Sequence, residues 1–443
     1  MSETKLSTRK ERIGWYFYDW ANSVFYTTVI TVFLGPYLTS ITKHGTDAQG
    51  FVHILGVPIH SGSFFPYVVS ASVLLQVLVL PLLGAIADYT HKKKFMLGLF
   101  AYIGSISTMG LFFLHGNNYL LGALLFIIAN ISFGASAVMY NAYLNDIAEP
   151  DRRDAVSSIG WAFGYLGGGV LLALNLAFYL NAGKMGLTSE MAVRINLVSA
   201  GIWWALFTII PMMTLKIRQP AKQKQTGDSL VSIGFKELFK TIKDSFKYPK
   251  TILFIIAYLL YNDGVQTVIT ISAVFGQEEL GLSMSTLTSV ILMVQFMAFF
   301  GALLFKYLAN AIGTKRALLI SLVIWTGCVF YAFQYLHSET GFYLLGGLIA
   351  IVLGATQALS RSMYSHLIPK NKEAEYFSLY EISDKGTSWI GPLAFGLALQ
   401  FSGSYRWAIL SLALFFIAGY VILLSLNVKE AIKEVGNEIP NKI

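Results

Sequence analysis

Two carboxylates sit inside long apolar runs, each followed three residues later by a carboxamide. They are Asp19 and Asn22 in Asp19-Trp20-Ala21-Asn22-Ser23-Val24, and Asp263 and Gln266 in Asp263-Gly264-Val265-Gln266-Thr267-Val268. Residues three or four apart share a helix face, and Tyr26 and Thr270 continue these two faces. An ionisable side chain deep in a bilayer costs at least ~2.5 kcal/mol, so each acid is a functional candidate. Such a carboxylate can serve as counter-ion for a substrate ammonium group or as a proton carrier; the alternative is a hydrogen-bonded packing role. Asp263 falls about twelve residues into its run, roughly 18 Å along a helix and so near the midplane. Asp19 falls nearer one surface among Trp15, Tyr16, Tyr18 and Trp20, an aromatic cluster expected to be an interfacial belt rather than a cation cage.

A second group of charges lies near the other end of the chain. Arg361 is expected about seven residues from the inner end of one helix, with Glu381, Asp384 and Lys385 six or more residues into the next. Those depths match, and a buried Arg is most cheaply held by a neighbouring acid. An Arg361 pair with Glu381 or Asp384, closed by Lys385, is expected either as a fixed structural pair or as a gate that breaks and reforms.

The elements that position these residues follow from composition. The chain has 443 residues, 55% hydrophobic and 13% charged, and a formal charge of +8, with a mean hydropathy of +0.60. Soluble domains carry about 25% charged residues, so this is an all-α membrane protein rather than a soluble enzyme. The runs 14–41, 64–89, 95–115, 119–145, 157–181 and 192–215 read as six transmembrane helices, and 251–276, 286–310, 316–336, 342–368, 376–401 and 407–428 as six more. Each is long enough for a span of roughly 20 residues. The first run is expected to be retained rather than cleaved as a signal, because it is long and holds Asp19. Of 32 Lys and Arg, 26 fall at the N-terminus, in or beside the even-numbered connections, or in the C-terminal tail, and 4 in or beside the odd-numbered ones. That bias places both termini in the cytoplasm. It also accounts for the positive charge without a nucleic-acid partner.

The chain therefore divides into a six-helix half over 1–215, a cytoplasmic linker over 216–250, and a second half with a short tail over 251–443. In the linker, Phe235, Leu238, Phe239, Ile242 and Phe246 recur opposite Lys236, Lys240, Lys243 and Lys247, the pattern of an amphipathic helix on the inner leaflet. The halves echo each other in order: the two acid segments, then Gly134-Ala135-Ser136 against Gly354-Ala355-Thr356, then Gly164-Tyr165-Leu166-Gly167-Gly168 against Ser388-Trp389-Ile390-Gly391-Pro392. Duplicated halves are a transporter architecture. Gly160, Gly164 and Gly168 recur every four residues, which suits close helix packing. The single Cys328 allows no internal disulfide, and His44, His53, His60, His115 and His337 fall in outer loops at spacings that suggest no metal site. No Walker-type phosphate loop and no His-Glu-x-x-His or nucleophile-elbow motif is present. No cofactor or metal is expected, and ion or substrate gradients must supply the drive.

Gly84-Ala85-Ile86-Ala87-Asp88-Tyr89-Thr90-His91-Lys92-Lys93-Lys94 resembles the loop signature of the major facilitator superfamily. By that resemblance Asp88, Lys92 and Lys93 would latch the cytoplasmic face. The counterpart from Phe305 to Arg316 keeps Gly313, Lys315 and Arg316 but has Ala309 and Asn310 at the acid and basic positions, so the latch would be one-sided. Longer stretches are similar to the vacuole-effluxer-like family, which includes bacterial relatives of the fungal autophagy-related vacuolar amino-acid exporter. They are Gly14 to Ser23, Tyr140-Asn141-Ala142-Tyr143-Leu144 on to Gly160-Trp161, Gln357 to Ser362, and Ser388 to Pro392. The resemblance implies twelve helices, solute transport and efflux of neutral amino acids such as leucine, isoleucine and tyrosine. Span five lacks the Gly-Pro pair of many drug/proton antiporters in the superfamily.

The expectation is a secondary transporter working by alternating access, with spans 1, 4, 7 and 10 lining the cavity. Asp19, Asn22, Tyr26, Asp263 and Gln266 would face it, with Asn141 and Arg361 on the other pair of helices. An Asp and an Arg there could hold the ammonium and carboxylate of an amino acid, with protons as the candidate coupling ion. Another metabolite, such as a sugar, nucleoside or drug-like cation, is the alternative substrate, and a non-transporting membrane sensor or scaffold the alternative class. The protein is expected as a monomer in a bacterial inner membrane.

Overall fold

A computed structural model describes residues 8–54, 56–88, 92–147, 153–217, 243, 246–368, 380, 389–437 and 439. In chain order its main helices are α1 (Arg9–Lys43), α2 (Ser61–Asp88), α3 (Lys93–Phe113), α4 (Tyr119–Ile147), α5 (Arg153–Asn181) and α6 (Ser189–Thr214). They continue as α7 (Pro249–Leu280), α8 (Met284–Ile312), α9 (Thr314–Gln334), α10 (Glu339–His366), α11 (Ile390–Ser402), α12 (Tyr405–Ser425) and the short α13 (Val428–Glu434). Among the described residues nine helices are long and apolar enough to cross a bilayer, and the apolar stretches of α2, α8 and α11 are shorter, at 10–17 residues. Hydroxyl side chains of Thr8, Thr188, Ser283 and Ser338 cap the N-termini of α1, α6, α8 and α10, taking up amides that have no partner within the helix. Gly281 and Gly403, at φ of 64° and 65°, end α7 and α11, a backbone conformation that favours glycine.

The first helix is not uniform. It is α-helical over Arg9–Val24, widens to a π-helix over Phe25–Phe33, and returns to α over Leu34–Lys43. The Thr31 hydroxyl donates to the carbonyl of Tyr26, five residues back, at 2.9 Å.

Contacts divide the chain into two units. Met1–Gly45 and Leu75–Glu237 form one, and Thr46–Leu74 and Leu238–Ile443 the other. In the first unit α1 packs on α5 and α6, and α3 on α4 and α6. In the second, α7 packs on α11 and α12, and α9 on α10 and α12. These are the same four pairings shifted by six helices. The Gly160-to-Gly168 stripe of α5 lies against Trp15, Ser23, Trp20 and Thr27 of α1, where a Cβ at any of these glycines would collide. In the second unit Gly391 of α11 lies against Asp263 and Thr267 of α7. Gly391 therefore takes the place that Gly164 holds against Asp19 and Ser23, three residues away from the register that sequence similarity alone suggests.

Among the described residues the helices are joined by one hairpin that helical periodicity did not reveal. Strand β1 (Phe51–Ile54) pairs antiparallel with β2 (Val57–His60), with Phe51 opposite His60 and Ile54 opposite Val57. Asp47 closes the loop before it: one carboxylate oxygen accepts from the amides of Gln49 and Phe51, and the other lies 3.0 Å from His53 Nε2. The hairpin and the start of α2 run along α11. The His60 amide donates to the Gln400 carboxamide oxygen at 2.9 Å, the Ser63 hydroxyl to the Gly396 carbonyl at 3.0 Å and the Ser70 hydroxyl to the Trp389 carbonyl at 2.9 Å. These bonds place 46–74 in the second unit. The amphipathic stretch of the linker lies almost wholly outside the described residues, as does most of the first half of the run 376–401.

Candidate functional site

Asp263 is 1% exposed on α7. Its Oδ2 accepts a hydrogen bond from the Gly391 amide at 2.8 Å, in the first turn of α11, where unpaired amides and the helix dipole both favour a negative group. Its Oδ1 is buried without a hydrogen-bond partner among the described residues. One turn on, the Thr267 hydroxyl donates back to the Asp263 carbonyl at 2.7 Å. Gln266 is partly exposed and Thr270 is buried.

Asp19 is partly exposed on α1, and Tyr140 of α4 donates its hydroxyl to Asp19 Oδ2 at 3.0 Å. Tyr140 stacks on Trp15 with ring centroids 4.1 Å apart, and the Trp15 indole N–H donates to the Tyr140 carbonyl at 2.8 Å. Trp15, Tyr16 and Tyr18 are 2%, 9% and 0% exposed. This corrects the expectation of an interfacial belt for these three, whose rings pack against α4 and α5 inside their unit; Trp20 is partly exposed and stacks on Trp203 of α6. Asn22 is buried, whereas Tyr26 and Asn141 are partly exposed.

The proposed charge network is only partly in view. Asp88 closes α2 and Arg361 lies on α10, but their side chains, together with all of Glu381, Asp384 and Lys385, lie outside the described residues. Lys92 is exposed. Lys93, grouped with Asp88 by the sequence, forms an ion pair with Asp146 of α4 at 2.8 Å and lies 5.4 Å from the Tyr143 ring centroid. Among the described residues no three His, Cys, Asp or Glu are placed to hold a metal ion.

Sequence reasoning missed a matched pair of arginines at helix ends. Arg194 of α6 donates to the Phe112 carbonyl at the end of α3, at 2.5 Å. Arg406 of α12 donates to the carbonyls of Phe333 and Leu336 at the end of α9, at 2.9 and 2.7 Å, and pairs with Glu279 at 2.6 Å. In each unit a guanidinium satisfies carbonyls that a helix end leaves unpaired. The signal was available, since each arginine lies in the first two turns of the last long helix of its half.

The family model described as "Vacuole effluxer Atg22 like" matches residues 7–436. The chain belongs to this Atg22-like family. It is 31% identical over 418 residues to an uncharacterized MFS-type transporter, YxiO, of Bacillus subtilis, covering 94% of each chain. It is 26% identical over 543 residues to autophagy-related protein 22-1 of Penicillium rubens, covering 96% of this chain and 91% of that one. Among solved structures, the nucleoside transporter NupG matches with a TM-score of 0.67 at 14% identity, over 94% of this chain and 98% of that one. A D-xylose-proton symporter also matches with a TM-score of 0.67, at 15% identity, over 94% and 97%. At such identities the likeness shows the fold, which is that of the major facilitator superfamily. This Atg22-like protein is thus a multi-pass membrane transporter, in a family of transporters rather than enzymes.

Proposed function

We propose that the protein exports neutral amino acids across a bacterial inner membrane by alternating access, with both termini cytoplasmic and protons as the coupling ion. The observation that carries this reading is the Asp263 carboxylate, held by α11 through one oxygen while the other is buried without a partner among the described residues. An unmatched carboxylate oxygen in an apolar surround calls for a cation or a proton. A zwitterionic substrate supplies an ammonium group. Asp19, Asn22 and Tyr26 on α1, Asn141 on α4 and Gln266 on α7 are the proposed further polar contacts, with Arg361 for the substrate carboxylate. Asp88, Lys92 and Lys93, and Glu381, Asp384 and Lys385, are the proposed gating charges, with Lys93 also tying α3 to α4 through Asp146. The halves 1–215 and 251–443, joined by the linker 216–250, are the proposed moving parts. Family membership supports transport, and the lopsided Lys and Arg distribution supports the orientation.

The test is uptake by proteoliposomes of leucine, isoleucine and tyrosine beside nucleosides and sugars, with Asp263→Asn in parallel. Wild type is expected to move the amino acids. D263N is expected to lose transport while keeping its melting temperature in detergent. Uptake of only nucleosides or sugars would overturn the substrate class, and wild-type transport by D263N would overturn the role of Asp263.

A further inference from the structure

We propose that Tyr140 is a positioning residue for transport: it holds the Asp19 carboxylate in the orientation that receives the ammonium group of the substrate. This rests on the reading that Asp19 contacts substrate.

The geometry is a two-way clasp between α1 and α4. Trp15 and Asp19 are four apart on α1 and so lie on one face. Tyr140 meets both. Its ring stacks on the indole at 4.1 Å, with 12° between the planes. Its backbone carbonyl accepts from the indole N–H, and its hydroxyl donates to Asp19 Oδ2 at 3.0 Å. The Tyr18 ring also lies 5.3 Å away, tilted by 38°. With its ring stacked and its backbone bonded, the phenol has little freedom to turn.

Glycine on α5 makes the room. A Cβ at Gly160 would strike both the Trp15 ring and the Tyr140 hydroxyl, each at 2.7 Å, and a Cβ one turn on at Gly164 would lie 3.5 Å from Asp19 Cβ. The stripe that packs α5 on α1 thus also leaves the space in which the hydroxyl and the carboxylate meet.

The arrangement is graded in exposure. Tyr140 and Trp15 are 4% and 2% exposed, whereas Asp19 is partly exposed. The reachable group is the acid, and the groups behind it fix its direction. A carboxylate rotates broadly about its last torsion, so a charged hydrogen bond from a fixed donor selects one orientation. The second unit orients its acid differently: Asp263 is held by a backbone amide, and the serine at the position matching Tyr140, Ser360, bonds to the Tyr261 hydroxyl at 2.6 Å instead. A side-chain donor aimed at the acid is therefore specific to the first unit among the described residues.

The experiment is uptake by proteoliposomes of whichever of leucine, isoleucine and tyrosine the wild type moves fastest, for wild type, Tyr140→Phe, Asp19→Asn and the double variant. Y140F keeps the stack and removes only the hydroxyl. It is expected to raise KM about tenfold, with the maximal rate within twofold and the melting temperature unchanged. The double variant is expected to match D19N, because the hydroxyl acts through that acid. Trp15→Phe, which removes the indole N–H, is a second variant and is expected to raise KM in the same direction. Y140F and W15F with wild-type KM, beside an impaired D19N, would overturn the role of Tyr140 and leave that of Asp19. D19N with wild-type transport, or a wild type that moves none of the three amino acids, would sink the underlying reading and this one with it.

Discussion

Gly391 does two things for Asp263 that no other residue can do together. Its amide donates to the carboxylate, and its missing side chain lets α11 approach α7 so closely that a Cβ would meet the Thr267 hydroxyl, with Asp263 Oδ1 at 2.9 Å and the Asp263 carbonyl at 3.1 Å. Gly391→Ala must push the helices apart or turn Thr267 away from its bond, at a cost of about 1–3 kcal/mol. The expected result is a lower melting temperature together with weakened transport. Gly327→Ala on α9, where a Cβ would meet nothing within 4 Å, should leave both unchanged. An equal loss in the two variants would show that the close approach is not what matters. The acids themselves were legible in the sequence, because a charge in an apolar run is conspicuous by type alone. Tyr140 was not: a tyrosine in a hydrophobic helix carries no signal until tertiary packing brings α4 against α1. Gly391 was visible as part of an echo between halves, but sequence similarity set it three residues out of register, since short matches cannot resolve a shift of nearly one turn.

At the scale of elements, most of the helices were legible from apolar run length, with boundaries within a few residues. Two local features were not. The π-helix over Phe25–Phe33 has the composition of any apolar segment, and its wider turn shows only in backbone pairing; such stretches are frequent at functional positions. The hairpin lay in a loop whose few β-branched residues are too short a pattern to separate from irregular chain. Its entry depends on Asp47, whose carboxyl is held below the usual range first by the Phe51 amide and then by His53. A group with a depressed folded pKa contributes stability above the ordinary Asp range and loses it as pH falls through the folded value. Protection of the Gln49 and Phe51 amides from hydrogen exchange is therefore expected to fall on acidification below about pH 4. Asp47→Asn is expected to lower it already at neutral pH. Protection independent of pH in the wild type would refute that role for the carboxylate.

For the whole molecule, duplication was legible because each echo recurred in the same order, and the four matching helix pairings within the two units repeat that order in packing. What sequence could not show is which unit owns which piece, since ownership is decided by contacts such as those of Ser63 with Gly396 and Ser70 with Trp389. The chain changes unit three times: between Gly45 and Thr46, between Leu74 and Leu75 inside α2, and between Glu237 and Leu238. Cutting the connection over 216–250 removes only one of these crossings. A fragment 1–215 still carries the hairpin and the first turns of α2, which belong to the unit otherwise built by 251–443. On this division each fragment is expected to need the other. The two fragments, expressed together, are expected to copurify and transport, while 251–443 alone, lacking the donors for Trp389, Gly396 and Gln400, is expected to be lost to proteolysis. A stable solitary 251–443 would show that the chain is divisible there after all.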